Sequence, residues 1–293
     1  MISFRAMTQD RLDASLDIDR RSTLDIVRII QEQDALVAPA VAAVAQQIAH
    51  AIDEIVNRMQ NGGRLFYAGA GTSGRIAMLD ASELPPTFGI DSSLVRVLMA
   101  GGERAFFAAA EGAEDDEDAA IEAVEREVTA DDALIGIAAS GTTPYTVAAV
   151  RKANMHGALT IGITSRADSP LAQDADIAIV PDTGPEVIMG SSRMKSGTAQ
   201  KLVLNTISTG VMIRLGHVFS NLMIDMPATN EKLRNRAVRM VELAAEVQRP
   251  VAVQALMAAN GSVRLAAVMA KRKVSADEAR ELLGSKSLRE LLQ

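Results

Sequence analysis

Three glycines and two hydroxyl side chains share one short segment of the chain, Gly69-Ala70-Gly71-Thr72-Ser73-Gly74. The spacing G-x-G-x-x-G after a strand is typical of a dinucleotide site, and Glu103 stands where an acid would bind the ribose. Two features favour another ligand. A long helix is not expected to pass through the following pair Pro85-Pro86. The hydroxyls of Thr72 and Ser73 suit a terminal phosphate monoester, whose oxygens accept hydrogen bonds from hydroxyl groups and from backbone N–H groups at a helix start.

A second loop has the same chemistry, Ala139-Ser140-Gly141-Thr142-Thr143-Pro144. It is predicted to lie between a strand and a helix, and Pro144 suits the first position of that helix. Either loop alone is as compatible with a helix-capping turn as with a binding site. Two such loops at the carboxyl ends of strands in one sheet favour ligand binding, because open α/β sheets bind their ligands at that edge.

Acidic side chains are the candidates for proton transfer. Glu83 lies between the glycine loop and the proline pair, where the alternative is a surface acid or a helix cap. Glu114 lies in the segment 111–118, in which six of eight residues are acidic. A solvated helix start explains most of these acids, Asp116–Asp118 in particular. The segment lacks the regular spacing of oxygen ligands that a divalent cation would require.

A third polar segment, 184–198, leads into a long apolar helix. Its candidates for binding an anion are Ser191, Ser192, Arg193 and Lys195. Taken alone, this segment is explained more simply as a polar loop that ends in a helix cap.

The elements that must position these residues alternate between apolar strands and helices. Strands are predicted at 64–68, 94–99, 133–138, 159–163 and 177–180, and helices between them include Pro144–Met155 and Gly197–Leu215. Such an alternation indicates an α/β fold with a parallel sheet covered on both faces.

Helical regions flank this α/β portion. The first 22 residues are polar and are predicted to be an arm; helical spacing then runs from Ser22 to Met59, interrupted at Gln31–Asp34, with Pro39 in the first turn of a second, longer helix. After Pro227 the spacing predicts short amphipathic helices with breaks at Arg249-Pro250, Asn260-Gly261 and Gly284. The predicted division is therefore 1–58 for the arm and its helices, 59–217 for the α/β domain and 218–293 for a helical region.

The composition excludes several kinds of chemistry. The 293 residues include no Cys and three His, which excludes a disulfide scaffold and thiolate catalysis and leaves little for a metal site. A net charge of −7 without a Lys/Arg-rich block argues against nucleic acid or an anionic membrane as partner. The chain has no apolar run near the length of a membrane span and no signal-peptide core, so a cytoplasmic location is expected.

Five segments read together carry a resemblance to a known family. They are LFYAGAGTSGRIAMLDASELPPTFG (65–89), EGAEDD (111–116), GIAASGTTPY (136–145), GPEVIMGSSRMKSGTAQKLVLNTIST (184–209) and NLMIDMPATNEKL (221–233). In this order they closely resemble the N-acetylmuramic acid 6-phosphate etherases, from about residue 8 to 245. That family is similar to sugar isomerase (SIS) domain proteins, whose sheet-edge loops hold phosphosugars. The resemblance implies a three-layer α/β/α SIS domain at 59–217, with a mostly parallel five-stranded sheet, a helical N-terminal arm and a small helical C-terminal region.

The resemblance also implies a reaction that needs no cofactor and no metal. The ether between D-lactate and C3 of N-acetylmuramic acid 6-phosphate is cleaved by elimination and hydration, giving N-acetylglucosamine 6-phosphate and D-lactate. Glu83 matches the family's proton donor and Glu114 its second catalytic residue, which we assign as the base at C2. The 6-phosphate is expected to contact Thr72, Ser73, Ser140, Thr142 and Thr143. The lactyl carboxylate or the phosphate is expected to meet Ser191, Ser192, Arg193 and Lys195, from the same subunit or across a dimer interface.

The chain departs from the family pattern at two positions. Thr142 stands where the family usually has an arginine, so affinity or specificity is expected to differ if that arginine assists the anion. Leu84 stands where the family has a cysteine, which is a change in packing.

Two other functions and an assembly state follow from the same residues. A nicotinamide-dependent oxidoreductase would rest on Gly69, Gly71, Gly74 and Glu103. A non-enzymatic phosphosugar sensor, like glucokinase regulatory protein, would bind ligand without turnover and is disfavoured by the presence of both Glu83 and Glu114. A homodimer is expected, because the helices within 24–59 and 197–215 offer more apolar surface than one sheet needs.

Overall fold

The structure, a computed structural model, describes residues 10–108 and 110–293 and divides into two compact units. The α/β unit comprises the chain up to Ala81 together with Ser93–Val211, and the helical unit comprises Ser82–Ser92 and Met212–Gln293. Part of the predicted arm, 1–9, lies outside the described residues. Residues 10–22 contain two short 3-10 turns, Asp13–Ser15 and Ile18–Arg20.

A five-stranded parallel sheet forms the centre of the α/β unit, in the order β2-β1-β3-β4-β5. Its strands are β1 (Leu65–Gly69), β2 (Val95–Met99), β3 (Ala133–Ile137), β4 (Leu159–Ile163) and β5 (Ile177–Ile179). In β1, β3 and β4 every residue is buried, as parallel strands covered on both faces require. The predicted α/β fold with a parallel five-stranded sheet is confirmed.

Among the described residues, eight α-helices belong wholly or partly to this unit. They are α1 (Thr23–Asp34), α2 (Val37–Ala42), α3 (Ala45–Gln60), α4 (Gly71–Phe88), α5 (Glu117–Glu127), α6 (Pro144–Met155), α7 (Pro170–Asp174) and α8 (Lys195–Arg214). Three local predictions were wrong. The segment Gln31–Asp34 continues α1, and the chain breaks at Ala35-Leu36 instead. The predicted second, longer helix is divided into the short α2, which contains Pro39, and α3. Helix α4 contains Pro85 and Pro86; each proline lacks the N–H group of a helical hydrogen bond, and the helix ends two residues after Pro86, at Phe88.

Side chains of β1 alternate between two helical layers. Phe66 and Ala68 pack into an apolar cluster with residues of α5 and α6. On the other face the Tyr67 hydroxyl donates to Asp80 Oδ2 of α4 at 2.9 Å, and Ser208 Oγ of α8 donates to Asp80 Oδ1 at 3.0 Å. Burial raises the pKa of Asp80, and these two hydrogen bonds partly oppose that shift. Helices therefore cover both faces of the sheet, which gives the three predicted layers.

Asp132 ties the amino-terminal edge of the sheet together. It is 1% exposed, and its carboxylate accepts hydrogen bonds from the backbone N–H and the guanidinium of Arg64 and from the N–H and hydroxyl of Thr129. Burial alone would raise the pKa of Asp132, but these donors outweigh it and lower the pKa. The ionised carboxylate is therefore stabilised by folding.

Replacing Asp132 by Asn is expected to lower the free energy of unfolding by about 2 kcal/mol at pH 7, because an amide has fewer acceptor sites for the same donors. Since the folded pKa is depressed, the stabilisation in the wild type is present above the unfolded pKa of about 4 and is lost as the pH falls through the folded pKa. Urea unfolding at pH 7 and near pH 3 should show the difference between the two proteins shrinking in acid. The exposed neighbour Asp131, changed to Asn, is the control; an equal loss there would contradict the prediction.

The helical unit has its own apolar core. Its helices are α9 (Glu231–Ala245), α10 (Arg249–Ala258), α11 (Val263–Arg272), α12 (Ala276–Ser285) and α13 (Leu288–Leu292). The core is built around Ile224, Val241 and Ala266, each of which is fully buried. The predicted breaks at Arg249-Pro250 and Asn260-Gly261 coincide with helix boundaries, whereas Gly284 lies in the last turn of α12.

The helices and side chains of residues 10–108 and 110–293 bear on two questions, whether the chain could span a membrane and whether it could hold a metal ion. No single helix there is long and apolar enough to cross a membrane; only a bent pair, Thr23–Ala42 with Ala45–Gln60 at 56°, meets that criterion by length and composition. Within the same residues no three side chains of His, Cys, Asp or Glu form a group that could hold a metal ion.

Candidate active site

The order of the strands brings the glycine loop and the hydroxyl loop to neighbouring strand ends. Gly69, the last residue of β1, pairs with Met99 of β2 on one side and with Ile137 of β3 on the other. From β1 the chain proceeds to one side of the sheet and from β3 to the other, which makes the β1–β3 edge the topological switch point. Ligands of open α/β sheets bind in the crevice outside the carboxyl ends of the strands at such a point.

The glycine loop passes directly into a long helix. Helix α4 begins at Gly71, and the first bond of its ladder runs from Gly74 N to Ala70 O at 3.2 Å. A Cβ at position 74 would lie 2.8 Å from the backbone oxygen of Gly69, which cannot move aside as the flexible side chain of Met99 can, so this position requires glycine. Thr72 and Ser73 lie in the first turn of α4, where helical N–H groups have no partner within the helix. Thr72 is exposed and Ser73 is half-buried. This arrangement suits an anion.

The hydroxyl loop is held by bonds among its own side chains. Ser140 Oγ accepts hydrogen bonds from the Thr142 N–H at 3.2 Å and from the Thr142 hydroxyl at 3.1 Å. Thr143 is the N-cap residue of α6, but its side chain makes no capping hydrogen bond, and Pro144 occupies the start of the helix as predicted. The Thr143 hydroxyl therefore does not cap the first N–H groups of α6 and remains available to a ligand.

Gly141→Ala is expected to distort the hydroxyl loop and weaken phosphate binding about tenfold or more, with a loss of stability of about 1–3 kcal/mol. Gly141 has a φ of +66°, and a Cβ there would lie 2.1 Å from Ser169 Oγ and 2.6 Å from Thr164 Oγ1. Titration with inorganic phosphate together with thermal unfolding would measure both effects. Gly62→Ala is the control, because Gly62 also has a positive φ but faces open space in the turn before β1; similar phosphate affinities in the two variants would contradict the prediction.

The four anion-binding candidates of the segment 184–198 differ in accessibility. Three are accessible: Ser191 and Ser192 are half-buried and Arg193 is exposed. Lys195 is 1% exposed, and its Nζ donates to Gln33 Oε1 at 2.9 Å. Burial lowers the pKa of Lys195, and neighbouring acids, Glu186 first among them, partly oppose that shift. In this structure Lys195 is an interior side chain.

Glu186, which the sequence analysis did not single out, is a central residue of this segment. It is fully buried, and its two carboxylate oxygens accept hydrogen bonds from the N–H groups of Lys195 and Ser196, each at 3.0 Å. A carboxylate at this position satisfies the first N–H groups of α8 and interacts favourably with the helix dipole. Glu186 therefore determines where α8 begins.

A cavity of about 250 Å³ separates the glycine loop from the acidic segment. Glu114 lies on its wall, exposed, in a short 3-10 turn at Ala113–Asp115. Asp116 is the N-cap of α5 and accepts from the Ala119 N–H at 2.9 Å, while Glu117 and Asp118 lie in its first turn, as the capping interpretation predicted. The full lining is Ala70, Gly71, Arg75, Met99, Ala100, Ala105, Ala110, Glu111, Gly112, Ala113 and Glu114.

Arg75 is a second residue that the sequence analysis did not identify. It lines the same cavity, and its guanidinium donates to the carbonyl oxygens of Phe106 and Ala108 at 3.3 and 3.0 Å. It thereby fixes the turn that follows β2. Glu103, the ribose ligand of the oxidoreductase hypothesis, lies exposed in that turn.

Glu83 lies in the helical unit. It is an exposed residue of α4, close to the prolines of its last turn. The two glutamates singled out from the sequence thus belong to different compact units, Glu83 to the helical unit and Glu114 to the α/β unit.

Comparisons with known proteins identify the family of this chain. Two domain models match the chain, the glucokinase regulatory protein N-terminal SIS domain at residues 47–154 and the SIS domain at residues 109–209. Among full-length relatives, the N-acetylmuramic acid 6-phosphate etherase of Symbiobacterium thermophilum is 55% identical over 90% of this chain and 88% of its own length. The chain belongs to the N-acetylmuramic acid 6-phosphate etherase family.

Another etherase agrees with this assignment, and a solved structure of a different protein has a similar fold. The etherase of Clostridium beijerinckii is 50% identical over 93% of this chain and 90% of its own length. A solved structure described as a putative phosphosugar isomerase involved in capsule formation, from Bacteroides fragilis, has 26% identity and a TM-score of 0.50; the match covers 65% of this chain and 91% of that one. Membership of this family argues against the oxidoreductase hypothesis. The expectation that no long helix would pass through Pro85-Pro86, which also argued against a dinucleotide, was wrong, because α4 contains both prolines.

Proposed function

We infer that this protein cleaves the D-lactyl ether of N-acetylmuramic acid 6-phosphate, giving N-acetylglucosamine 6-phosphate and D-lactate as part of cell-wall amino sugar recycling. The observation that carries the conclusion is the identity of about half of all residues to named etherases over nine-tenths of the chain. The two hydroxyl-bearing loops at the switch point of the sheet support a phosphosugar as the ligand.

The reaction can proceed with carboxyl groups alone. In the open-chain sugar the C2 proton is α to the C1 aldehyde, so a base removes it to give an enolate. Expulsion of lactate then breaks the C3–O bond and forms a C2–C3 double bond, while an acid protonates the departing ether oxygen. Water then adds to C3 and a proton returns to C2. In sum, the ether and one water molecule are converted into N-acetylglucosamine 6-phosphate and D-lactate. One carboxyl must be ionised and the other neutral at the start.

We assign these roles by position in the family motifs. Glu114 is the base at C2, and its place on the wall of the cavity beside the glycine loop supports contact with a bound sugar. Glu83 is the acid toward the lactyl oxygen. The 6-phosphate is assigned to the helix starts of α4 and α6, with the hydroxyls of Thr72, Ser73, Ser140, Thr142 and Thr143.

The lactyl carboxylate or the phosphate is assigned to the accessible part of the segment 184–198. Ser191, Ser192 and Arg193 have donors near the surface. Lys195 contributes only through the position of α8, because its ammonium group is engaged by Gln33 and its backbone N–H by Glu186.

Assay of D-lactate after incubation of the protein with N-acetylmuramic acid 6-phosphate tests the function directly. In heavy water, deuterium should enter at C2 of the sugar product, and labelled water should place its oxygen at C3. Failure to release lactate across a range of pH would contradict the etherase. Binding without turnover would instead indicate a phosphosugar sensor, the type of protein whose SIS domain model matches residues 47–154.

A homodimer is part of the proposal, as is a cytoplasmic location, where a charged phosphosugar is retained. An apolar groove of about 430 Å³ in the α/β unit supports self-association, because exposed apolar patches of this kind commonly mark interfaces. It is lined by Ala38, Val41, Ala42, Ala45, Ile48, Ala49, Ile52, Leu202 and Thr206.

Ala49→Glu is expected to weaken self-association more than tenfold, since it places a charge on the floor of an apolar interface. Light scattering coupled to size-exclusion chromatography should give twice the chain mass of 31.0 kDa for the wild type and a shift toward 31.0 kDa for the variant. Gln46→Glu adds the same charge at an exposed position of α3 outside the groove and should leave the mass unchanged. A wild-type protein of 31.0 kDa at all concentrations would refute the dimer.

A further inference from the structure

Gln200 of α8 contacts the glycine loop but has no role in the function described above. It is 3% exposed, and its Oε1 accepts a hydrogen bond from Ser73 Oγ at 3.0 Å. Its Nε2 is buried and has no hydrogen-bond partner among the described residues. Buried polar atoms are nearly always paired, so an unpaired amide nitrogen beside a proposed phosphate site calls for an explanation.

The direction of the Ser73–Gln200 hydrogen bond bears on phosphate binding. A serine hydroxyl has one proton, and here that proton is donated to Gln200 Oε1. In this state Ser73 offers only lone pairs to an incoming phosphate, whose oxygens are also acceptors. Rotation of the amide by half a turn exchanges its oxygen and nitrogen with little change in shape. Nε2 would then donate to Ser73 Oγ, and the serine proton would be free for the phosphate.

The surroundings of Gln200 hold its backbone against the loop. Glu186 caps the start of α8 through the N–H groups of Lys195 and Ser196. One turn before Gln200, a Cβ on Gly197 would lie at an ordinary van der Waals distance, 3.7 Å, from Thr72 Cγ2, so α8 runs beside the loop at that point. With the backbone fixed, the amide can respond to a ligand by rotating.

We propose that Gln200 is a positioning residue that makes Ser73 a hydrogen-bond donor to the substrate phosphate, by reversing the hydrogen bond between the two side chains when phosphate binds. The inference rests on the proposed function, because it takes the 6-phosphate to bind at the glycine loop.

Gln200→Glu is the discriminating variant, because it has the same shape but, when ionised, cannot donate a hydrogen bond. The carboxylate of the variant still accepts the hydrogen bond from the Ser73 hydroxyl and adds a negative charge. The affinity for N-acetylglucosamine 6-phosphate should therefore fall about 100-fold at pH 8. Near pH 5, where a buried glutamate is partly neutral and regains a donor, most of the loss relative to wild type at the same pH should disappear. Gln200→Met removes both donor and acceptor and should cost less than about tenfold. Calorimetric titration with the product measures binding without turnover.

The outcomes separate this inference from the proposed function. The control variant Gln46→Glu adds the same charge at an exposed position of α3 and should bind N-acetylglucosamine 6-phosphate like the wild type. Wild-type affinity in Gln200→Glu at both pH values would overturn the inference. So would equal losses in Gln200→Glu and Gln200→Met without pH dependence, which would indicate support of the fold only. If the wild type neither binds the product nor releases lactate, the proposed function fails first, and the inference with it.

Discussion

Glu114→Gln is expected to reduce the rate of D-lactate release about 100- to 10,000-fold, because a glutamine cannot remove the C2 proton. Glu83→Gln should cause a loss of similar size, since it cannot protonate the departing lactate. Both substitutions keep the shape of the side chain, and both glutamates are exposed, so folding should be little affected. Steady-state assays should place the loss in kcat, while titration with N-acetylglucosamine 6-phosphate should show binding within a few-fold of the wild type.

Exchange at C2 of the product can separate the two roles. Removal and return of the C2 proton need the base but no leaving lactate. Glu83→Gln should therefore continue to exchange solvent deuterium into C2 of N-acetylglucosamine 6-phosphate, whereas Glu114→Gln should lose the exchange. The reverse pattern would interchange the acid and the base. Glu111→Gln is the matched control, because Glu111 lines the same cavity and is also exposed; a comparable loss there would argue that charge in the cavity, and not Glu114 itself, is what matters.

The sheet was predictable from the sequence because of how parallel strands are buried. Strands covered on both faces are continuous apolar runs, and the five runs identified fell within about one residue of the observed strands. Pro144 and the turn before it placed the start of α6 correctly for a local reason, the fixed φ of proline. The same local preference of proline gave a wrong end for α4, because the helix continues through Pro85 and Pro86 to Phe88.

The polar interior could not be predicted, because it depends on tertiary neighbours. Glu186, Lys195 and Asp132 are of residue types that are mostly exposed, and each is at most 1% exposed here. Two of these side chains have partners that are distant in sequence: Lys195 bonds to Gln33, 162 positions away, and Asp132 bonds to Arg64, 68 positions away. Glu186 had one weak signal, an acid shortly before a long helix, but an exposed acid would look the same in the sequence. The glycine and hydroxyl loops were visible because their residue types are unusual at strand ends.

Glu186→Gln is expected to lower the free energy of unfolding by about 3 kcal/mol, because it leaves buried groups without their partner. The amide oxygen can accept one of the two N–H groups that Glu186 now satisfies, and its NH2 group faces the other. The variant also removes a negative charge that raises the pKa of the buried Lys195. Since Glu186 positions the start of α8, the affinity for phosphosugar should fall as well.

Urea unfolding of a small set of variants tests this prediction and its cause. Asp182→Asn removes an exposed acid whose charge also raises the pKa of Lys195. It should lower the free energy of unfolding by well under 1 kcal/mol, because exposed charges interact weakly. Adding Lys195→Met to Glu186→Gln removes the buried cation and should restore part of the stability, since a lone buried charge costs more than none. If the double variant is less stable than Glu186→Gln by the full cost of Lys195→Met alone, the two side chains do not interact, and capping of α8 is the only role of Glu186.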